Sequence, residues 1–388
     1  MADMLTPVVR EDRRSRIAAR AARRVPALAI GLISALGLAA CSSAASGAGA
    51  TGDGAIQPLA LDYSSSLGAS SIQSELIGEW VDAVQSGSDD QIAITTYDSG
   101  SLLPPTDAVA GVADGRADIA MTSPQYTPGE LPVSSFTELP FATVNSEAFV
   151  LAVRDAYEDE DSAFRAEWNA QGLEVMIFVP AGSNSIVSKS AVEDVADLDG
   201  LPVRAVGQTA AVLQKAGASP SAIPLPEVYE SLERGLVDAV SSIAVEVAQD
   251  IGATETAGYV TDPGLGEYTV IPVFVNKTWW DALPDATRQL FEDANEAYYD
   301  GFADELSALQ EETCSELDEA GVKASVWDEA SVDELHELAG SELWSAWIKA
   351  HSTADFDADA FIEAYTERIE EYEADSSFLP TIAQCVTS

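Results

Sequence analysis

The sequence predicts an α/β protein of two domains behind an export leader. Three observations carry this. Strand-like and helix-like apolar patterns alternate through the first half of the chain. About 330 residues remain after the leader and the tether that follows it, more than one apolar core usually supports. From Pro284 onward the pattern becomes helical and acidic, with one long segment from about Asp285 to Ala320.

The leader comes first. Seven arginines (Arg10, Arg13, Arg14, Arg16, Arg20, Arg23, Arg24) precede the apolar run ALAIGLISALGLAA, Ala27 to Ala40. That run is shorter than the roughly 20 residues a membrane span needs, and it ends in small residues before Cys41. It reads as a secretory signal peptide over residues 1–40. Leu38-Ala39-Ala40-Cys41 resembles a bacterial lipoprotein box, which makes Cys41 the expected acylated N-terminus on the outer face of the cell membrane. An ordinary signal peptide with a chance cysteine is the other reading. Residues 41–57, rich in Ser, Gly and Ala, form a flexible tether.

The elements follow in order. Leu59–Tyr63 is a short buried strand. Ile72, Leu76, Ile77, Trp80, Val81 and Val84 recur at helical spacing. Ile92–Tyr97 alternates as a strand, Thr106–Ala113 is helical, and a strand begins at Asp118. This β-α-β-α-β opening is the pattern of a parallel sheet with helices on its faces. Leu173–Val179, Val203–Val206, AVSSIA after the helix Glu227–Arg234, and Thr269–Asn276 are further strands. In open α/β sheets ligands sit beyond the carboxyl ends of the strands. That rule selects the loops at Ser64–Ser66, Ser123, Gly182–Asn184, Arg204 and Ser241–Ser242.

Charge narrows the partners. The whole chain carries 65 acidic and 19 basic residues, a formal net charge of −46. Without its leader it keeps 12 basic and 62 acidic residues, a charge near −50. Nucleic acid and anionic lipid surfaces are excluded as partners. Each of the seven arginines and five lysines left is therefore informative. Two cysteines remain in the body, Cys314 and Cys385, and an exported chain favours a disulfide over two buried thiols.

The residues for enzymatic chemistry are missing. His336 and His351 lie in acidic helical surroundings with no nucleophile beside them. Asp98-Ser99-Gly100 has no second copy to make a carboxylate pair. Asp355, Asp357 and Asp359 resemble the start of a calcium loop, but Ala360 and Thr366 occupy the positions that need Gly and Glu. No phosphate loop, dinucleotide fingerprint or zinc cluster is present, so neither metal nor cofactor is expected. Binding rather than catalysis is the reading that remains.

Arg204 stands out, in LDGLPVRAVGQ between two apolar segments. A buried charge is costly unless paired. Position alone leaves the readings open: pairing with a local acid such as Asp199, snorkelling to solvent, or waiting for an anion from outside.

Several stretches resemble the solute-binding proteins of tripartite ATP-independent periplasmic (TRAP) transporters. They are YDSGSL with ADGRADIAMTS, TELPF, DVADLDGLPVRAVGQ, GASPSAIPLPEVYESLERGLVDAV and VNKTWWDALP. The similarity runs over about residues 58–310 and weakens beyond. It implies a periplasmic-binding-protein-like fold with a cleft between two lobes and a long helix spanning both. Domain I would comprise 58–182 with 270–309, and domain II 183–269 with 310–388. It further implies capture of a small organic acid by cleft closure and delivery to one small and one large membrane subunit. A monomer without cofactor is expected. An ATP-driven importer's binding lipoprotein and a ligand sensor are the alternatives.

The resemblance places Arg204 on the arginine that grips the ligand's carboxylate. A planar guanidinium suits that task. By position, Ser64, Ser123, Asn184 and Ser242 fall on contact sites, Leu225 falls where a pocket aromatic is common, and Phe141, Tyr268 and Phe274 are candidate walls. Short polar groups replace larger ones at several of these sites. The pocket is thus expected to take a bulkier or more apolar acid, with a monocarboxylate favoured over a small dicarboxylate.

Overall fold

A computed structural model gives the architecture; the residues described are 56–387, Glu160 excepted. The leader, Cys41 and most of the tether lie outside them. The chain opens as β1 (Leu59–Ser64), α1 (Ile72–Gly87), β2 (Ile92–Tyr97), α2 (Ala108–Ala113) and β3 (Ile119–Met121). Helix α1 starts where the Ser71 side chain caps the Ser74 N–H, and it buries Leu76, Ile77, Trp80 and Val84. Helices α3 (Ser146–Glu158) and α4 (Ala163–Ala170) then lead to β4 (Leu173–Pro180).

After β4 the chain enters a second sheet. It forms β5 (Ile186–Ser188), β6 (Pro202–Arg204), α5 (Gly207–Lys215), β7 (Ser219–Ser221), α6 (Val228–Glu233), β8 (Ala239–Val240), α7 (Val245–Asp250), α8 (Ala253–Thr256) and β9 (Tyr259–Asp262). It returns to the first sheet as β10 (Val270–Asn276), followed by α9 (Lys277–Asp281) and α10 (Asp285–Ala320). The remainder is β11 (Lys323–Val326), α11 (Glu329–His351), α12 (Ala358–Asp375) and α13 (Thr381–Thr387).

The first sheet has the order β2-β1-β3-β10-β4 and the second β11-β9-β5-β8-β6-β7. Strands β1, β2 and β3 run parallel, as the opening pattern requires, while β10 is antiparallel to both neighbours. Each sheet anchors one lobe. The expected strands at Val203–Val206 and AVSSIA stop early, at Arg204 and Val240. The cause is a turn: Ser242 has φ of 57°, and its hydroxyl is tied to Val206 N–H and C=O, each at 2.9 Å.

The long helix spans about 54 Å at 1.5 Å per residue. Its Phe291, Tyr298, Phe302 and Leu306 join the core of lobe I, and Leu317 joins a core of lobe II. Its carboxyl end stops at Gly321, whose φ of 72° is the left-handed cap that glycine supplies. The same helix helps to close the free edge of the first sheet. Tyr299 Oη accepts the Phe178 N–H of edge strand β4 at 2.9 Å, and Tyr157 Oη accepts that of Val175 at 3.0 Å.

The division at 310–388 needs correction. Helix α12 packs on α3, and its Ile362, Tyr365 and Ile369 belong to the core of lobe I. The apolar face of α12 finds an aromatic shelf there, with Tyr365 and Phe361 edge-on to Phe136. Helix α13 then returns to lobe II against β11 and β9. Cys385 on α13 is bonded to Cys314 on α10.

Candidate functional site

Strand β6 ends at Arg204 and pairs in parallel with β8, Arg204 opposite Val240. The loop after β8 therefore lies beside the arginine. Strand β5 is antiparallel to β8, so the residues before it, Gly182 to Ser185, reach the same edge of the sheet. Topology alone thus gathers Arg204, Ser241, Ser242 and Asn184 at one rim of lobe II.

Arg204 is 5% exposed. Its Nε donates to Ile223 O at 2.9 Å, and Nη1 donates to Ser241 O at 3.1 Å and Ser242 O at 3.2 Å. Three carbonyls fix the plane of the guanidinium, but none neutralises it. Among the described residues it has no carboxylate partner, and Nη2 makes no hydrogen bond to protein. Burial pushes its pKa below the usual arginine range. Asp199, the local acid that could have paired it, instead stands 3.0 Å from the point where a β-carbon on Gly217 would lie.

Asn184 is 2% exposed, and its side chain is anchored at one end only. Nδ2 donates to Thr209 Oγ1 on α5 at 2.9 Å, while Oδ1 is buried without a partner. The Ser241 hydroxyl is likewise buried and unpartnered. An unsatisfied buried polar atom costs about 1–3 kcal/mol. Two buried unmatched atoms, Asn184 Oδ1 and Ser241 Oγ, beside the unbonded Nη2 edge of Arg204, are what a site left open for a polar ligand would show.

Lobe I faces this rim through the loop after β3. The Ser123 hydroxyl is 3.2 Å from that of Thr269, on the connection that leads into β10. Three residues on, Tyr126 is exposed, yet its phenol lies close enough to Arg204 and Tyr268 to interact electrostatically with both. Tyr268 touches cores of both lobes and sits beside Arg204. Gln125 and Glu138 reach across to Gly207, the first residue of α5. Burial pushes the Glu138 carboxyl up to about 7.

The other expected contacts have local roles. Ser64 Oγ accepts the Leu103 N–H at 3.1 Å and is buried. The Ser242 hydroxyl is spent on Val206, so only its carbonyl serves the site, by holding Arg204. Phe274 is fully buried against Trp168 in the core of lobe I. Phe141, with φ of 66°, turns its ring edge-on to His336 of α11, 5.0 Å between centroids. Leu225 packs on a core of lobe II. Asp357 does not start a calcium loop but caps α12, accepting the Ala360 N–H.

Tyr126 and Thr209 were not singled out from sequence. Each lies a few residues beyond one that was: Tyr126 three after Ser123, Thr209 five after Arg204. A separate groove of about 500 Å³ beside edge strand β4 contains Arg154 and Arg165. Both are already paired, with Asp155 at 2.7 Å and Glu174 at 3.0 Å, so that groove offers no free cation.

Known proteins share this fold. A monocarboxylate 2-oxoacid-binding periplasmic protein of Nostoc sp. is 25% identical over 236 residues, 59% of this chain and 63% of the relative. The chain thus spans a little under two thirds of that relative's length. An ectoine-binding periplasmic protein of Halomonas elongata is 23% identical over 245 residues, 63% of this chain and 71% of the relative. Among solved structures, a TRAP solute binding protein from Rhodoferax ferrireducens in complex with copurified benzoate superimposes with a TM-score of 0.72 at 22% identity. That alignment covers 81% of this chain and 98% of the other. Among the described residues, no helix is long and apolar enough to cross a membrane. Residues 63–347 match the bacterial extracellular solute-binding protein family 7, and the chain belongs to that family, the solute-binding proteins of TRAP transporters.

Proposed function

We propose that this chain captures a small organic acid through its carboxylate at Arg204, closes around it, and delivers it to the small and large membrane subunits of a TRAP transporter. The observation that carries the proposal is the buried guanidinium with no carboxylate partner and a free Nη2 edge. A ligand carboxylate would supply the missing charge and accept from Nη2, in a setting where low polarity strengthens the pair. Among the described residues gathered at the rim Arg204 is the one cation, which favours a single carboxylate. The benzoate in the Rhodoferax structure and the monocarboxylates named for the Nostoc relative support the same class. Asn184 Oδ1 and Ser241 Oγ would bind polar groups beside the carboxylate, and Tyr126 and Ser123 would close over it from lobe I.

The protein is a binder rather than an enzyme. It acts as a monomer, held to the outer face of the membrane by a lipid on Cys41.

A thermal-shift screen against mono- and dicarboxylic acids tests the reading, with Arg204→Ala alongside. Mass action gives about 2.7 kcal/mol of stabilisation at a hundredfold excess over the Kd. A monocarboxylate that stabilises the wild type and not the variant is the expected result. A neutral compound that stabilises both alike would overturn it.

A further inference from the structure

The two strands that join the lobes run past each other at Ser183 and Glu267, which form an antiparallel bridge. Glu267 is 1% exposed. Its Oε2 accepts the Gly182 N–H at 3.0 Å. Its Oε1 accepts the hydroxyl of Ser146, the first residue of α3 in lobe I, and that of Ser183 at 3.4 Å. One carboxyl group thus holds both connecting strands and a helix of lobe I.

The backbone around it has no slack. Gly182 has φ of 102°, and a β-carbon there would stand 2.5 Å from that of Ala244. Gly266 has φ of 82°, and a β-carbon there would stand 2.5 Å from Thr143 O. Only glycine fits either place. Tyr268, the residue after Glu267, is close enough to Arg204 to interact with it electrostatically.

We propose that Glu267 is the positioning residue for ligand capture: its carboxyl group clasps both connecting strands to α3 and so sets the angle at which the lobes close. The clasp is sensitive to protons. The titratable groups facing Glu267 are Glu246 from α7, Tyr365 from α12 and its neighbour Tyr268, and no cation is among them. Glu246 is itself buried, and it accepts the Thr381 hydroxyl of α13.

Burial, more than the donors from Ser146, Gly182 and Ser183 can offset, pushes the Glu267 carboxyl up to about 8, and Glu246 adds to the rise. Opening that admits water relaxes this. The clasped form therefore keeps a proton that the opened form releases. Between the two pKa values the clasped-to-open ratio falls about tenfold for each unit of rising pH.

The inference holds whichever solute the cleft takes, so the test uses the ligand-free chain, with pH as the probe. Small-angle scattering and hydrogen exchange at the Gly182 amide are followed from about pH 5.5 to about pH 9. In the wild type the radius of gyration rises with pH, and amide exchange outpaces its intrinsic trend. Glu267→Gln keeps the shape without the charge and stays compact throughout, whereas Glu267→Ala is more open at every pH. Glu246→Gln keeps the rise with pH but moves it to somewhat lower pH, because the charge that adds to the Glu267 shift is gone. Three results would overturn the proposal: identical pH profiles for wild type and Glu267→Gln, an Ala variant that folds but is no more open, or loss of the dependence in Glu246→Gln. None of these bears on whether Arg204 binds a carboxylate.

Discussion

Glu138 of lobe I and Gly207 of lobe II meet across the cleft: Glu138 Oε2 stands 3.1 Å from the point where a β-carbon on Gly207 would lie. Gly207 also has φ of 59°, in the left-handed region. Gly207→Ala adds about 1–2 kcal/mol of backbone strain and a methyl group wedged against the opposite lobe. The variant is expected to fold, to scatter as a more open particle, and to bind its acid more weakly. Adding Glu138→Ala removes the obstacle and recovers part of the affinity. A Gly207→Ala protein that closes and binds as the wild type does would show that this contact is no part of the bound state.

Arg204→Met separates binding from stability. The free protein bears the cost of a buried charge that three carbonyls only partly offset. Replacing it with an apolar side chain of similar length removes that charge but leaves three carbonyls without a donor, so Tm of the free protein changes little. Affinity for the acid falls roughly 10- to 150-fold, the worth of a charge-assisted hydrogen bond of about 1.5–3 kcal/mol. Calorimetric titration of both proteins reads this directly. A variant that is strongly destabilised yet binds normally would make the arginine structural.

Stability depends on pH with a definite sign. Burial raises Glu267 to about 8, Glu138 to about 7, and Asp250 and Asp262 to about 6. For each, the folded protein binds protons that the unfolded chain releases. The stability is therefore fully present below the ordinary carboxyl range and is lost as pH rises through these values. The Tm measured near pH 5 is expected to exceed that near pH 8, and Glu138→Gln flattens part of the slope. A Tm that rises steadily over that interval would contradict the burial of these groups.

The Cys314–Cys385 bond closes a loop with a sequence separation of 71 residues. Loop-closure entropy assigns it about 4 kcal/mol. Reductant, or the Cys314→Ser with Cys385→Ser pair, should lower Tm by several degrees while the acid still binds. Helix α13 would be the first element to lose amide protection, since it is held by that bond and by its packing on α10 and β11.

Much of the architecture was legible because it rests on periodicity. The spacing of Ile72, Leu76, Trp80 and Val84 specifies one buried helix face, and the long helix shows the same signal from Phe291 to Leu317. Arg204 was legible because a lone cation between apolar segments in an acidic chain needs a reason. What failed to show was the use of short polar side chains. Ser64 and Ser242 look like Ser241 in sequence, yet two are spent on backbone groups and one is left free. The difference is made by partners such as Leu103 and Val206, distant in sequence from Ser64 and Ser242, which no local pattern encodes. Helix α12 was misplaced for a related reason. Its apolar face marks it as packed but does not say against which lobe, and Phe136 decides that.

The tyrosines on β4 have a consequence of their own. An outermost strand with bare amides invites a neighbouring molecule to add a strand and start a stack. Here the phenol oxygens of Tyr157 and Tyr299 already occupy two of those amides. The protein can therefore reach high local concentration without its sheets growing into one another. Tyr157→Phe with Tyr299→Phe would keep the core's bulk and give up that protection against clumping.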